Sequence, residues 1–189
     1  MIPSILYLHG FASSPASLKA RQLADALDAR GQGERLICPA LSPVPFEAIA
    51  QAEALIESRP DSLTLVGSSL GGYYATWLAE KHSLGAVLIN PAVVAPLSLQ
   101  QYLGRQSNLY TGEEFEFTQA HIAQLRALEA PQITPDRYFL LVETGDEVLD
   151  YRDAVQRYAG CRQAVFEGGN HGFSRFSEML PQLFEFCGL

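Results

Sequence analysis

The stretch 63–72 reads LTLVGSSLGG, in which an apolar run leads directly into a serine flanked by glycines. The pattern Gly67-x-Ser69-x-Gly71 is typical of a nucleophile elbow, the sharp strand-to-helix turn that holds a reactive serine in a strained backbone conformation. Glycines are needed at both ends of the pattern because side chains there would collide with the tight turn. The pattern predicts that the Ser69 hydroxyl is a nucleophile if the rest of the chain supplies its partners.

Strands and helices alternate on both sides of this turn. Apolar runs predict strands at 2–8, 35–38, 62–66, 84–90, 138–143 and 162–166, and helical spacing predicts helices at 17–29, 46–58, 70–82, 151–158 and 173–186. Several strands are apolar throughout, which is typical of a parallel sheet covered on both faces. We therefore expect one α/β domain over residues 1–189, with three layers and a mostly parallel sheet of about six strands.

One segment, 91–135, interrupts the alternation. It shows no strand pattern, and we predict helices near 96–103 and 118–128 around the loop GRQSNLYTGEEFEF (104–117). A long insertion after a strand of such a sheet is often a lid over the active site, although helices that merely cover the sheet are the alternative. Its aromatic side chains are predicted either to form an apolar acyl site or to pack as the core of the lid: Tyr102, Tyr110, Phe115 and Phe117. A short helical lid favours short acyl groups.

Composition excludes several classes of function. The 189 residues carry a net charge of −8, with 48% apolar and 18% charged residues. This balance is typical of a folded soluble protein and disfavours nucleic-acid binding, which needs a basic face. Cys38, Cys161 and Cys187 are too widely spaced for a metal-ligand cluster or a disulfide framework. With no membrane span or signal peptide in the sequence, we expect a cytoplasmic protein that needs no metal or other cofactor. The oligomeric state stays open.

A serine hydroxyl needs a base within hydrogen-bond reach, and the base needs an orienting acid. In hydrolases with this elbow, the order along the chain is serine, acid, histidine. His171 directly follows the last predicted strand, in EGGNHGF (167–173), and Asp146 follows the preceding one, in TGDE (144–147). Both positions fall at carboxyl ends of strands, where an open α/β sheet binds its ligands. The order Ser69, Asp146, His171 therefore predicts a catalytic triad.

Other acids and histidines compete for these roles. Glu147 and Asp150 are the reserves for the acid, because they follow the same strand. His82 falls at the predicted C-terminus of a helix, where a histidine suits the helix dipole. His121 falls on a predicted lid helix, whereas His171 lies in a glycine-flanked loop after the final strand. His171 is therefore the preferred base.

Acyl transfer also requires backbone N–H groups, the oxyanion hole, for the charge that develops on the substrate carbonyl. One comes from Leu70, the residue after the nucleophile, and the second usually comes from the loop after an earlier strand. Here that strand ends in LHGF (8–11), so the Phe11 N–H is the best candidate and Ala12 the alternative. Gly10 would let the backbone approach the substrate. We expect His9 to hold this loop by hydrogen bonds.

Long motifs carry a family resemblance. The stretches YLHGF (7–11), VGSSLGGYYATWLAE (66–80), NPA (90–92), YTG (110–112), TGDEVLDYR (144–152) and EGGNHGF (167–173) closely resemble the YqiA-type bacterial esterases of the α/β-hydrolase superfamily, over roughly residues 4–188. One departure is Glu143, where we expect Gln. The resemblance implies an α/β-hydrolase fold, with Ser69 as nucleophile, Asp146 as orienting acid and His171 as base.

Together these observations predict a serine esterase that acts on a small carboxylic ester, with a pocket that includes His9, Phe11, Tyr102 and Tyr110. Thioester or carbon–carbon bond hydrolysis on the same scaffold is one alternative, because fold does not fix reaction. A module that only binds partners is another, although it has no need of an intact triad. Hydrolysis of coenzyme A thioesters would need cations for the phosphates, and the insertion offers only Arg105 and Arg126.

Overall fold

The computed structural model describes residues 3–59 and 62–189. Ile2, the first residue of the first predicted strand, lies outside these ranges. The strands are, in chain order, β1 (Ser4–Leu8), β2 (Leu36–Ile37), β3 (Leu63–Ser68), β4 (Gly85–Ile89), β5 (Gly104–Ser107), β6 (Glu114–Phe117), β7 (Tyr138–Glu143) and β8 (Arg162–Phe166). The helices are α1 (Leu18–Ala29), α2 (Pro45–Glu57), α3 (Leu70–His82), α4 (Ala95–Ser98), α5 (Gln119–Ala127), α6 (Tyr151–Arg157) and α7 (Phe176–Cys187).

The central sheet has six strands in the order β2-β1-β3-β4-β7-β8, and every neighbouring pair is parallel. The predicted parallel α/β sheet of six strands is therefore confirmed. The fully apolar runs are the central strands, because a strand with helices on both faces has no side that faces water. Every carboxyl end lies at one edge of the sheet, so the loops that follow β1, β3, β7 and β8 meet there.

Two hydrophobic cores lie on opposite faces of the sheet, because successive side chains of a strand point in opposite directions. In β7, Leu140 packs into the core beneath α2, α3 and α6, whereas Phe139 and Leu141 pack into the core beneath α1 and α7. Burial on both faces holds the central strands rigid. The carboxyl edge is therefore a firm base for the loops that extend from it.

The insertion differs from the prediction. Besides helical segments at 95–102 and 119–127, it contains an antiparallel hairpin in which β5 pairs with β6, so the prediction of a purely helical lid without strands is wrong. The stretch EFEF (114–117) alternates charged and aromatic residues, and its exposure alternates accordingly, ending in the fully buried Phe117. This two-residue period is the ordinary signal of a half-buried strand. The stretch is short, and its glycine-containing surroundings favoured a loop.

Three loops at the carboxyl edge are named for the residues that the sequence analysis predicts on them: the oxyanion loop (9–17) after β1, the acid loop (144–150) after β7 and the histidine loop (167–175) after β8. The last helix begins at Phe176 rather than at the predicted residue 173, because Phe173 has φ of 57° and cannot belong to a helix. The histidine loop is thereby longer than the sequence indicated.

Candidate active site

Ser69 stands in the turn between β3 and α3, with φ of 54° and ψ of −120°. A non-glycine residue in such a conformation costs about 1–3 kcal/mol and persists only where the surroundings enforce it. Here the enforcement comes from backbone packing, because a Cβ added to Gly71 would lie 1.9 Å from the carbonyl oxygen of Leu8. The Ser69 N–H also donates to the Ile89 carbonyl at 3.0 Å, which ties the turn to β4.

The structure brings Ser69, His171 and Asp146 into one hydrogen-bonded chain. Ser69 Oγ lies 3.1 Å from His171 Nε2, and His171 Nδ1 lies 2.9 and 3.0 Å from the two carboxylate oxygens of Asp146. The Asp146 side chain is only 2% exposed. Its burial raises the pKa, but hydrogen bonds from His171 and from the amides of Val148 and Leu149 outweigh burial, so the net pKa of Asp146 is lowered. The carboxylate therefore stays charged and fixes Nδ1 as the protonated nitrogen of the neutral ring.

Glu143, which the sequence placed in a strand without further role, anchors the histidine loop. It is fully buried at the end of β7, and its carboxylate accepts hydrogen bonds from the backbone N–H groups of Asn170, Ser174 and Arg175 at 2.8, 2.9 and 3.1 Å, and from the Ser174 hydroxyl at 2.7 Å. Burial raises the pKa of Glu143, but these donors lower it by more, so the group is ionised. A buried carboxylate with four donors holds the loop on both sides of the histidine.

Asn90 is a second anchor that sequence reasoning missed. It is 3% exposed, and its side-chain NH₂ donates to the carbonyl oxygens of Asn170 and His171, each at 3.1 Å. Its side-chain oxygen accepts the Glu143 N–H at 3.0 Å. One amide therefore joins β4, β7 and the histidine loop. The NPA motif contained this residue, but nothing in the local sequence indicates contacts that span some 80 positions.

The competing acids and histidines have other partners. Glu147 accepts the backbone N–H of His171 at 2.9 Å, so it supports the base through the main chain. Asp150 caps α6 and pairs with Arg152. The His82 ring contacts Glu53 at 2.8 Å, and His121 accepts the Thr118 N–H at 3.2 Å. None of these four side chains contacts Ser69 within the described residues.

The oxyanion loop runs beside the nucleophile. A Cβ added to Gly10 would lie 3.3 Å from the Ser69 Cβ, which places this backbone in contact with the serine. Among the described residues, neither the Phe11 N–H nor the Leu70 N–H donates a hydrogen bond, and both residues line the cavity that contains Ser69. Ala12, the alternative, lines the same cavity. The choice between the two loop amides stays a prediction.

The side chain of His9, the first residue of this loop, points away from the cavity that contains Ser69. Its Nε2 accepts the Leu41 N–H at 3.0 Å, and its Nδ1 lies 3.0 Å from the Gly10 carbonyl, to which it donates. The ring is 4% exposed, and burial lowers its pKa, against the hydrogen bond to Gly10. His9 is therefore placed to brace the loop as a neutral ring.

A cavity of about 510 Å³ opens above Ser69 and His171. Of the predicted pocket residues, Phe11, Tyr102 and Tyr110 line it. His9 instead lines a neighbouring cavity of about 250 Å³, on the other side of the oxyanion loop. The rim of the larger cavity is apolar and well exposed, at Leu18, Leu109, Tyr110 and Val148.

The insertion is joined to the oxyanion loop. The Leu109 N–H donates to the Ala12 carbonyl at 2.8 Å, and the Asn108 side-chain NH₂ donates to the Ser13 carbonyl at 2.7 Å. Phe11 packs against a group of aromatic rings from the insertion, with ring centroids 4.9–5.7 Å apart: Tyr102, Phe115 and Phe117. The aromatic residues of the insertion therefore have both predicted roles: Tyr102 and Tyr110 line the cavity, whereas Phe117 is buried in the core.

One cation at the cavity was missed by sequence reasoning. Arg105, which we considered for phosphate binding, is exposed and pairs with Glu114. Lys19, at the start of α1, lines the cavity instead, and its Nζ donates to the Gly172 carbonyl at 2.8 Å. Lys19 contacts the histidine loop through a hydrogen bond between residues 153 positions apart, so no local sequence pattern could predict that it lies at the cavity.

Over residues 3–59 and 62–189, the structure contains no helix long and apolar enough to cross a bilayer.

A glycine-flanked serine in a strand-to-helix turn of a parallel sheet, with an acid after β7 and a histidine after β8, is the arrangement of the α/β-hydrolase fold. Three solved structures share it. A putative hydrolase from Agrobacterium vitis S4 matches with a TM-score of 0.74 and 19% identity, covering 98% of this chain and 87% of that chain. Est1E from Butyrivibrio proteoclasticus with bound ferulic acid gives 0.69 and 14%, covering 98% and 88%. A monoacylglycerol lipase from Paleococcus ferrophilus gives 0.69 and 16%, covering 97% and 93%.

The family is narrower than the fold. Residues 4–188 match the family described as "Uncharacterised protein family (UPF0227)", and the chain belongs to this family. The match covers the same span as the resemblance seen in the motifs. The similarity to the YqiA-type α/β-hydrolases is thereby confirmed.

Proposed function

We propose that this protein is a serine esterase that hydrolyses small carboxylic esters through an acyl-enzyme intermediate. The observation that carries the proposal is the continuous chain of hydrogen bonds from Asp146 through His171 to Ser69. Each atom along it has the partner that nucleophilic catalysis requires, and the serine stands at the floor of a cavity open to substrate.

In the first half-reaction, His171 Nε2 takes the Ser69 proton as Oγ attacks the ester carbonyl. The negative charge on the carbonyl oxygen is stabilised by the amides of Leu70 and Phe11. Their N–H groups donate no other hydrogen bond among the described residues. The protonated His171 then gives its proton to the departing alcohol. Asp146 stabilises the imidazolium through the 2.9 Å contact.

In the second half-reaction, His171 removes a proton from water, which attacks the acyl-enzyme and releases the acid and free Ser69. Glu143 and Asn90 serve this step indirectly, because they hold the loop on which His171 must accept and return protons. No metal or organic cofactor takes part in any step of this scheme.

The cavity supports a small substrate with apolar parts. A volume of about 510 Å³ lies in the range of small-molecule sites. Its rim includes Leu109 and Tyr110 of the insertion, which suit a short acyl chain or an aromatic ring. Est1E binds ferulic acid, an aromatic carboxylic acid, and such acids are the products of ester hydrolysis. We propose that the insertion acts as a lid over this cavity.

The test is the variant Ser69→Ala, examined beside the unaltered protein. Loss of a triad nucleophile lowers the rate by at least about 10⁴-fold while leaving binding in place. We expect a fluorophosphonate probe to label the unaltered protein at Ser69 and to leave the variant unlabelled, with both proteins equally folded by circular dichroism. A series of 4-nitrophenyl esters of increasing chain length, with matched thioesters and β-diketones, then defines the reaction class. Absence of labelling in the folded, unaltered protein would sink the proposal and favour a module that binds partners.

A further inference from the structure

Lys19 is an unusual residue for the wall of a largely apolar cavity. Its side chain is half-buried, and within the described part of the chain its Nζ makes one hydrogen bond, to the Gly172 carbonyl at 2.8 Å, and no ion pair. An ammonium has three N–H donors. Two donors are therefore left over beside the carbonyl that follows His171.

The position of Lys19 at the start of α1 does not favour a positive charge. It is the second residue of the helix, where the positive end of the helix dipole repels it. The first turn has no acidic residue to offset this. Burial lowers the pKa of Lys19 to about 8, against the attraction of Asp146 and Glu143, so the group is still charged at pH 7. The cation is kept at an electrostatic cost.

A buried hydroxyl without a well-formed hydrogen bond lies on the wall of the same cavity. Ser17, the N-cap of α1, is 8% exposed and lines the same cavity, and its Oγ makes no hydrogen bond among the described residues. An unsatisfied buried hydroxyl is costly, and native proteins rarely keep one. Tyr7, also on the cavity wall, is the neighbour of this hydroxyl: burial raises the pKa of Tyr7, and hydrogen bonding to the side chains of Ser68 and Ser17 lowers it by less, although the Ser17 contact falls short of good hydrogen-bond geometry.

We propose that Lys19 and Ser17 form a subsite for a carboxylate carried by the substrate, so that this protein prefers esters with one negative charge remote from the scissile bond. The inference rests on the proposed esterase function and names its substrate class. The ammonium supplies charge and two donors, and the hydroxyl of Ser17, at the N-cap of the same helix, supplies a third donor.

The subsite fits one charge and not several. The chain carries a net charge of −8, and the carboxylates of Asp146 and Glu143 already attract Lys19. A polyphosphate such as that of coenzyme A would need further cations, whereas Arg105 of the insertion is exposed and paired with Glu114. A monovalent carboxylate is the anion that one ammonium and one hydroxyl match.

The carboxylate can belong to either half of the ester, and two matched pairs of substrates separate these sources. In 4-acetoxybutanoate the charge is on the alcohol, and butyl acetate is its neutral partner. In monoethyl glutarate the charge is on the acyl group, and ethyl pentanoate is its neutral partner. We expect kcat/KM to favour the charged member of at least one pair, and the pair identifies the source.

The decisive variant is Lys19→Met, which keeps the length of the side chain and removes its charge. The ratio of kcat/KM between charged and neutral esters should fall about tenfold to a hundredfold, the range for a hydrogen bond to a charged group. Lys19→Arg should retain part of the preference. A role limited to holding the histidine loop would lower both members of a pair equally. Lys81→Met is the matched control, because Lys81 pairs with Glu53 away from the cavity, and the ratio should not change in it.

Binding without turnover separates this inference from the proposed function. In Ser69→Ala protein, calorimetric titration with 4-acetoxybutanoate and monoethyl glutarate should give a Kd that rises at least tenfold when Lys19→Met is added. If the unaltered protein hydrolyses none of the four esters but this difference in Kd remains, the esterase proposal fails and the subsite stands. Hydrolysis with equal kcat/KM for charged and neutral esters, or a ratio unaffected by Lys19→Met, overturns the subsite alone.

Discussion

Ser69, the proposed nucleophile, and His171, the proposed base, are held by different means. Ser69 is held by backbone packed against backbone, since Gly71 leaves no room for a side chain against Leu8. His171 stands on a loop that is held by side chains, through the buried carboxylate of Glu143 and the buried amide of Asn90. In the hydrogen-bonded chain of Ser69, His171 and Asp146, the serine is therefore fixed by close packing of the backbone and the histidine by hydrogen bonds to its loop.

This difference predicts how mutations should act at Ser69 and at the loop of His171. Packing of backbone against backbone does not yield gradually, because protein interiors are close-packed. A hydrogen-bonded anchor can be weakened one bond at a time, each worth about 1–3 kcal/mol when the acceptor is charged or the donor is left buried. We expect changes at the elbow to affect the fold, and changes at the histidine anchor to affect catalysis by degrees.

The largest effect is expected for Gly71→Ala. The new Cβ would lie 1.9 Å from a carbonyl oxygen of β1, so the elbow or the strand must move, and the free energy of unfolding should fall by about 3 kcal/mol or more. Urea denaturation measures this. Gly10→Ala is the matched control, because its Cβ meets the Ser69 Cβ at 3.3 Å and the nearest backbone atom, the Ser68 carbonyl oxygen, at an ordinary contact distance of 3.5 Å, so it should lower kcat with little change in stability. Equal stability of the two variants would contradict a shape-fixed elbow.

A smaller effect is expected for Glu143→Ala. Three part-buried amides of the histidine loop and the Ser174 hydroxyl lose their acceptor, so stability should fall by about 2 kcal/mol. The position of His171 should become less defined, so kcat should fall about a hundredfold with KM nearly unchanged. Steady-state kinetics with a 4-nitrophenyl ester gives both values.

Glu143→Gln is the graded counterpart. A glutamine oxygen can still accept from Asn170 and Ser174, and its NH₂ can donate to the Ser174 hydroxyl, so only the Arg175 N–H is left without an acceptor. We expect kcat to fall no more than about tenfold, the cost of a single lost bond. If Glu143→Gln were as damaging as Glu143→Ala, the charge itself and not the number of bonds would hold the loop.

The smallest effect concerns acid stability. The folded protein lowers the pKa of Glu143 below its ordinary value of 4.5, so the unfolded chain takes up this proton first as the pH falls. The stabilisation by Glu143 is therefore complete above pH 4.5 and is lost as the pH falls through the lowered value. The difference in unfolding free energy between the unaltered protein and Glu143→Gln should shrink over this range. Asp146 titrates in both proteins and cancels, so a constant difference would contradict an ionised Glu143.

The sequence allowed the sheet and the three residues of the chain Ser69, His171 and Asp146 to be predicted, because the signals are local. An apolar run, a glycine-flanked serine and an acid or histidine just after a strand each occupy a few consecutive positions. A parallel sheet then brings its carboxyl ends together whatever the loops contain. The hairpin of the insertion was missed although EFEF carries a two-residue period, since four residues are too few to outweigh a loop-like setting.

The anchors could not be predicted for a different reason. Glu143 reads as one more residue of a buried strand, Asn90 as the end of another and Lys19 as part of a helix surface. Each acts on the histidine loop from 27 to 153 positions away. Their roles depend on tertiary contacts alone, and a single sequence does not record which distant groups meet.

The two hydrogen bonds that join Asn108 and Leu109 to the oxyanion loop give the insertion a mechanical role. A flap that is bonded to the backbone beside Phe11 cannot swing away independently, so a load applied to one is transmitted to the other. We expect a substrate long enough to press on Tyr110 to pull also on the loop that carries Phe11, whose amide we propose for the oxyanion hole. We therefore expect the length of the substrate to change kcat as well as KM.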